Sequence, residues 1–352
     1  MPLRSFDTGA SLIDRVPADI VRRLADVDQG RGLERLHVAR LPGLLDRLAA
    51  RARVQSITAS SALEGVVVPD EGRAGRIIGG SATTLRTRSE QELAGYRDAL
   101  DYVWQQDFHP VSTGLVLHLH RLLLAHTVTP GGALKSEDNL VVDRLPDGGH
   151  SVRFRPVSAR ETPTYMPELF ARLQVERDAD HHHPLLLVGL AVLDLLVIHP
   201  FADGNGRVAR ILTNALLSDV GYGVARYVSL EQLVAGSADA YYRTLLASTL
   251  GWHEGEHDPW PWLGYLVEQA ARAYASYEDL CRAATSGGSK RDRVKRYVLD
   301  QAPRVFSISD IRTAVLGVGD GTIRNALDGL RAEGAVEVDG PGRAARWTRL
   351  EG

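Results

Sequence analysis

With 352 residues, 44% apolar and 24% charged, the chain can build two or three globular domains and lacks the bias of a disordered or fibrous sequence. A formal net charge of −3 excludes a surface that is basic throughout, as a general nucleic-acid binder would need, but not a local basic patch. The single cysteine, Cys281, excludes an intrachain disulfide framework, fits a reducing cytoplasm, and reads as packed rather than catalytic. No signal-like segment opens MPLRSFDTGASLIDR and no uninterrupted apolar run spans a bilayer, so no membrane partner is expected. Lysine occurs only at 135, 290 and 295, an arginine bias that suggests a GC-rich, bacterial genome.

In chain order, Pro17 to Val27 and Gly32 to Ala52 show helical apolar spacing, and Pro42 predicts a break near Leu41. Val54 to Val68 (VQSITASSALEGVVV) has a Ser- and Thr-rich centre of poor intrinsic helicity, so a tertiary partner is expected to hold it. Pro69 to Arg88 reads as a Gly- and Arg-rich connector. A helix follows over Ser89 to Gln105, with Ser89, Gln91 and Glu92 as its capping chemistry. Its apolar stripe is Leu93, Tyr96, Ala99, Leu100 and Val103. Thr113 to Leu124 is a second apolar helix, whose His118 and His120 read as structural. Residues 139–156 carry two short extended runs around Pro146-Asp147-Gly148-Gly149, the signature of a β-hairpin. Thr162 to Leu173 starts another helix, and the polar loop Asp178 to His183 places His181, His182 and His183 in solvent, with adventitious metal binding as the alternative.

The densest chemistry lies in Ile198 to Ile211, IHPFADGNGRVARI. The apolar run Pro184 to His199 before it reads as a buried helix. Arg207 to Asp219 after it reads as another, closed by Gly221. Asp203, Gly204, Asn205 and Gly206 therefore stand at the mouth of the second helix, where backbone N–H groups are unpaired and the macrodipole is positive. The two glycines let a phosphate approach those amides, and Arg207 and Arg210 add charge beside them. Asp203 is a hard oxygen donor of the kind that holds magnesium carried in by phosphates. His199 could take a proton from a hydroxyl near neutral pH. Taken singly, the same residues read more plainly: a capped core histidine, a solvated pair of arginines, and a His199–Asp203 pair short of the ligands zinc requires.

Together and in this order they resemble the signature of the Fic family, H-x-F-x-D-G-N-G-R-x-x-R, with every fixed position present. The resemblance implies a mainly α Fic helical fold with a small β-hairpin flap. It also implies a protein adenylyltransferase, an enzyme moving AMP from ATP to a target protein's hydroxyl. On that resemblance His199 is the general base, Phe201 anchors the loop and Asp203 holds Mg2+. Gly204, Asn205 and Gly206 bind the α- and β-phosphates, and Arg207 and Arg210 meet the phosphate tail. A helix from Ala240 would line the adenosine side, with Tyr241 or Tyr242 either stacked on the base or packed in the core. The hairpin 139–156 would be the flap, its strand edge aligning a Ser, Thr or Tyr of the target by main-chain hydrogen bonds. Before the flap the family often has G-x-[YF]-R, whereas this chain has GGALKSEDN, so the flap's anchoring does not follow from the resemblance.

Ser60-Ser61-Ala62-Leu63-Glu64-Gly65 is similar to the family's inhibitory motif, [S/T]-x-x-x-E-[G/N]. One helical turn puts Ser60 and Glu64 on the same face, and Glu64 would pair with Arg210 and withhold it from the γ-phosphate. The plain alternative is a helix ending at Gly65 with Glu64 in water. The same fold could remove AMP, form a homodimer, or serve as the nucleotide sensor of a DNA-binding transcriptional regulator.

Trp252, Trp260 and Trp262, beside Pro259 and Pro261, close this core before a last helix, Leu263 to Ala284. Ser286 to Ser289 reads as a linker. Beyond it come helices over Lys290 to Asp300, Ser307 to Val315 and Thr322 to Glu333, then two strands within Ala335 to Trp347 around Asp339-Gly340-Pro341-Gly342. This order resembles a winged-helix domain, whose third helix would enter a major groove. Arg324, Asn325 and Arg331 on that helix, with Arg343 and Arg346 on the wing, would meet bases and phosphates. Asp328 and Glu333 oppose phosphate, so an interaction or dimerisation module stands as the alternative. The expected domains are 1–88, an N-terminal helical region; 89–284, the catalytic domain; and 285–352, the winged-helix-like domain.

Overall fold

The computed structural model describes residues 4–6, 13–105, 108–144, 150–285, 289–315, 317–340 and 345–350. The chain forms two compact units, Met1–Leu36 with Ala52–Ser276, and His37–Arg51 with Tyr277–Gly352. Its helices in order are α1 (Ala18–Arg40), α2 (Pro42–Leu63), α3 (Glu71–Ile78), α4 (Arg88–Gln105), α5 (Thr113–Leu123), α6 (Thr162–Ala179), α7 (Pro184–Ile198), α8 (Asn205–Asp219), α9 (Leu230–Ala235), α10 (Ala238–Thr249) and α11 (Trp260–Thr285). Between α5 and α6 an antiparallel hairpin pairs β1 (Val141–Arg144) with β2 (His150–Phe154). No helix among the described residues is long and apolar enough to cross a membrane.

The first unit is organised around α7. Every residue of that helix except Pro184 and Leu196 is buried, because α6 and α8 pack on its flanks and leave no solvent-facing stripe. Pro184 opens it at a position where a missing N–H costs nothing, and the His183 ring accepts the Leu185 amide (3.2 Å). At the other end His199 turns left-handed, with φ 50°. That turn aims the chain into the loop leading to α8.

Several local expectations need correction. The first two apolar runs are joined in one helix through Gly30 and Gly32, and the break falls at Leu41, where Pro42 starts α2. The connector over 69–88 contains α3, capped by the Asp70 carboxylate on the Arg73 amide (2.9 Å). At the start of α4 the cap is the Thr87 hydroxyl on the Glu90 amide (3.2 Å) rather than Ser89. Of the three loop histidines only His181 is exposed; His183 also meets Asp28 (3.2 Å) and the Tyr222 hydroxyl (3.3 Å). The hairpin forms, while its turn residues Pro146 to Gly149 lie outside the described residues.

The second unit contains α12 (Lys290–Asp300), β3 (Val305–Phe306), α13 (Ile308–Ala314), α14 (Asp320–Ala332), β4 (Val336–Asp339) and β5 (Arg346–Arg349). The strands make one antiparallel sheet in the order β3-β5-β4, so the two expected strands gain a short third at the edge. Reciprocal capping boxes, Ser289 with Asp292 and Ser307 with Asp310, start α12 and α13. Val294, Val298, Phe306, Ile323, Leu327 and Trp347 form a separate core. Arg324, Asn325, Asp328 and Arg331 on α14 are exposed, as is Arg346 on β5. Arg343 and the Pro341-Gly342 turn lie outside the described residues, as do Ser286 to Gly288.

Candidate active site

The Ser- and Thr-rich end of α2 is helical because its polar stripe is matched. Ser56, Ser60 and Glu64 recur every four residues and so share one face. The Ser56 hydroxyl donates to Ser229 Oγ (2.9 Å). Arg210 donates from Nε to Ser60 Oγ (2.7 Å), and from Nη2 to the Ser60 carbonyl (3.2 Å) and Glu64 Oε1 (2.7 Å). Buried hydrogen-bonded polar groups of this kind hold a segment whose intrinsic preference is weak, because breaking any one leaves its partner unsatisfied.

The motif loop presents its amides as its glycines permit. Gly204 has φ 81°, a left-handed conformation that a side chain would strain. Asn205 begins α8 and spends its side chain on the loop itself, accepting the Phe201 amide (2.9 Å) and donating to the Phe201 carbonyl (2.7 Å). Both ends of that side chain thus brace the loop. At Gly206 a Cβ would lie 2.6 Å from Glu64 Oε1 and 3.3 Å from Arg210 Nη1. The Glu64 carboxylate thus rests against the first turn of α8, where unpaired amides and the dipole favour an anion.

His199 lines the same cavity. Its Nδ1–H donates to the Leu196 carbonyl (3.2 Å), which leaves Nε2 with the free lone pair. Burial pushes its pKa down to about 4, with the Lys135 charge also lowering it, so the ring is neutral at pH 7. His120 stacks on Phe201, ring centroids 3.8 Å apart, and its Nδ1 accepts the Gly132 amide (3.0 Å). That is a structural role, as expected of it.

A cavity of about 410 Å³ collects Glu64, His199, Asp203 to Gly206, Arg210, Tyr241 and Tyr242, with Val141, Val142, Arg153 and Phe154 of the hairpin on its other side. Arg207 is the exception among the expected site residues. Its buried guanidinium bonds Glu92 Oε2 (2.7 Å), with Nη2 3.7 Å from Asp203 Oδ2, and does not itself line the cavity. Tyr241 is buried against Trp262 and Tyr265, whereas Tyr242 is half-buried with the Arg153 guanidinium 5.1 Å over its ring. The sequence reading missed Glu92 (taken for a cap), Arg88, Arg153, Lys135 and Asn139. Lys135 carried a signal all the same: it is the sole lysine among the first 289 residues of an arginine-rich chain.

Among the described residues no group of three or more His, Cys, Asp or Glu could cage a metal ion. Among the described residues, Asp203 and Glu64 are the carboxylates that line the cavity. Asp203 is half exposed, with Oδ1 accepting the Gly204 amide (2.7 Å) and Oδ2 3.4 Å from Arg88. A single tethered carboxylate suits magnesium arriving on a nucleotide, which keeps most of its ligands from water and phosphate.

Residues 110–217 match the Fic/DOC family. A protein adenylyltransferase Fic of Nematostella vectensis is 30% identical over 135 residues, 37% of this chain and 29% of that protein. Its Drosophila melanogaster counterpart is 28% identical over 227 residues, 58% of this chain and 41% of that protein. The chain thus spans less than half the length of these curated relatives. Among solved structures, a Fic family protein from Desulfovibrio desulfuricans superposes with a TM-score of 0.63 at 20% identity, over 96% of this chain and 97% of that one. A Fic domain containing signaling protein from Bacteroides thetaiotaomicron gives 0.59 at 22% identity, over 75% of this chain and 97% of that one. The loop geometry and these likenesses agree: this chain carries a Fic domain in the Fic helical fold.

Proposed function

We propose that the chain is a protein adenylyltransferase held in check by its own Glu64. The observation that carries this reading is the Glu64–Arg210 bond (2.7 Å), seated on Gly206 within the cavity that also holds His199 and Asp203. Arg210 is the buried cation at the phosphate end of that cavity. While Glu64 occupies it, a nucleotide's terminal phosphate meets a carboxylate where Arg210 would orient it. Release of the end of α2 exchanges that carboxylate for the phosphate at the same guanidinium.

In the released site the amides of Asn205 and Gly206 bind the α- and β-phosphates, and the apolar wall with Tyr242 takes the base. His199 Nε2 removes the proton of a Ser, Thr or Tyr hydroxyl presented along the hairpin edge. The new bond joins that oxygen to the α-phosphorus, the bond to the β-phosphate's bridging oxygen breaks, and pyrophosphate departs. Magnesium, when bound with the nucleotide through Asp203, supplies charge neutralisation for the leaving group. The helix amides and Arg210 stabilise the charge that develops in line. Nearby phosphate charge raises the affinity of His199 for a proton above that in the empty site, closer to what a general base at neutral pH requires.

The test is transfer of label from α-labelled ATP by wild type, Glu64→Gly, and Glu64→Gly with His199→Ala. Label is expected in the single variant, and its loss in the double variant should amount to about 10²–10⁴-fold. Equal labelling by both variants would overturn the reading.

We infer separately that the second unit is a winged-helix module with α14 as its recognition helix. The supporting observation is the order helix, strand, helix, helix, strand, strand, with Arg324, Asn325 and Arg331 all exposed on α14. Electrophoretic retardation of duplex DNA by the full chain at low salt, lost in Arg324→Ala with Arg331→Ala, is the expected result. No retardation at 50 mM salt would leave the unit an interaction module.

A further inference from the structure

The segment that departs from the usual family pattern is also bonded directly to the motif loop. Four consecutive carbonyls, from residues 198 to 201, each accept a hydrogen bond from only two residues upstream of the hairpin. Lys135 Nζ donates to the Ile198 carbonyl (3.0 Å), and the Lys135 amide donates to the Pro200 carbonyl (2.8 Å). Asn139 Nδ2 donates to the carbonyls of His199 (3.3 Å) and Phe201 (2.9 Å). Lys135 Nζ spends its remaining hydrogens on Asn139 Oδ1 (2.8 Å) and the Val157 carbonyl (2.6 Å).

The physical logic is that of a helix end. When α7 stops at a left-handed residue its last carbonyls lose their intrahelical donors, at the negative pole of the dipole. A buried ammonium satisfies the last of them, at Ile198, with a charge-assisted bond, and has three hydrogens for the three oxygens it meets. Burial draws the Lys135 pKa down to about 8, so the group remains charged at neutral pH. An apolar side chain there would remove the donor from all three acceptors.

The same ammonium reaches both feet of the hairpin. Asn139 lies two residues before β1, and Val157 three residues after β2. We propose that Lys135, with Asn139 as its relay, is a positioning residue that fixes the His199 imidazole relative to the strand on which the target hydroxyl lies. Lys135 is not among the cavity's lining residues, so it acts through the turn and the flap, not on the reacting atoms. Displacement of a catalytic group by about 1 Å costs on the order of 10²-fold in rate.

The proposal rests on the transferase reading, and its test separates the two. Lys135→Met, Lys135→Arg and Asn139→Ala are made in the Glu64→Gly background. Nucleotide affinity, kcat and KM for ATP, and amide hydrogen exchange at His199 and Phe201 are then measured. Lys135→Met should lose about 100-fold in kcat with nucleotide affinity and KM for ATP within threefold, and should exchange at least tenfold faster at those two amides. Lys135→Arg should recover most of the rate, since it keeps the charge. If Lys135→Met does not fold, Asn139→Ala carries the same comparison with a smaller expected loss, about tenfold. Folded variants with kcat and exchange within threefold of the parent overturn the proposal. A parent that transfers nothing defeats the transferase reading instead, and exchange alone then decides whether Lys135 holds the turn.

Discussion

Arg207 and Arg210 stand three residues apart on α8, both almost wholly buried, and each is bonded to one glutamate at 2.7 Å. The pairs differ in what holds the carboxylate. Glu92 comes from the interior of α4, is 5% exposed, and takes Arg88 on its other oxygen (2.5 Å). Glu64 stands just past the last residue of α2, is 34% exposed, and shares its cavity with the groups proposed to bind phosphate. A pair with both partners buried is part of the frame, because opening it strands a charge in low dielectric. A pair whose acid sits at a helix end beside a cavity can be opened, provided another anion meets the arginine. The chemistry is the same in both, and enclosure separates scaffold from switch.

The largest expected effect comes from breaking the enclosed pair. Glu92→Ala leaves Arg207 buried without its carboxylate and should cost about 3–5 kcal/mol, seen as a lower urea midpoint with unchanged slope. A loss below about 1 kcal/mol would mean that Arg207 finds water, and the distinction between the pairs would fail. Glu64→Gly should do the reverse, changing the urea midpoint little while raising ATP affinity and labelling by about 10–100-fold. That gain corresponds to about 1.5–3 kcal/mol for a hydrogen bond to a charged group. Ser60→Ala removes one of the three bonds that aim Arg210 and should raise labelling severalfold, on the order of 1 kcal/mol. Ser60→Ala matching Glu64→Gly would make the hydroxyl, not the carboxylate, the restraint.

The smallest effect concerns His120, which stacks on the loop leading to both arginines. Burial lowers its pKa to about 4, against about 6.5 in an unfolded chain. Its contribution is therefore complete above pH 6.5 and is lost as pH falls toward 4, when the unfolded chain binds a proton the folded one refuses. Wild type should lose about 1 kcal/mol more than His120→Gln between pH 7.5 and 5.5, measured by urea denaturation at each pH. Equal losses would show that the ring is protonated in place.

What was legible in the amino-acid order was whatever local physics decides. Pro42 ends one helix and starts another, a run that is apolar but for Asp194 makes α7 a buried helix, and the glycines on either side of Asn205 leave the first turn of α8 open. Those features placed His199 and Asp203 on one loop with Arg210 on the helix it opens, all lining one cavity, and the four-residue spacing put Ser60 and Glu64 on one face. The direction of each charged side chain was not legible. Arg207 and Arg210 look alike in sequence, and only the packing of α4 and α2 against α8 sends one to Glu92 and the other to Glu64. Lys135 looked like a departure from a pattern, because the carbonyls that need it belong to residues some sixty positions downstream. Backbone preferences are short-ranged and can be read along the chain, whereas the partner of a buried charge is whichever group the tertiary fold brings within 3 Å, and the sequence does not state that distance.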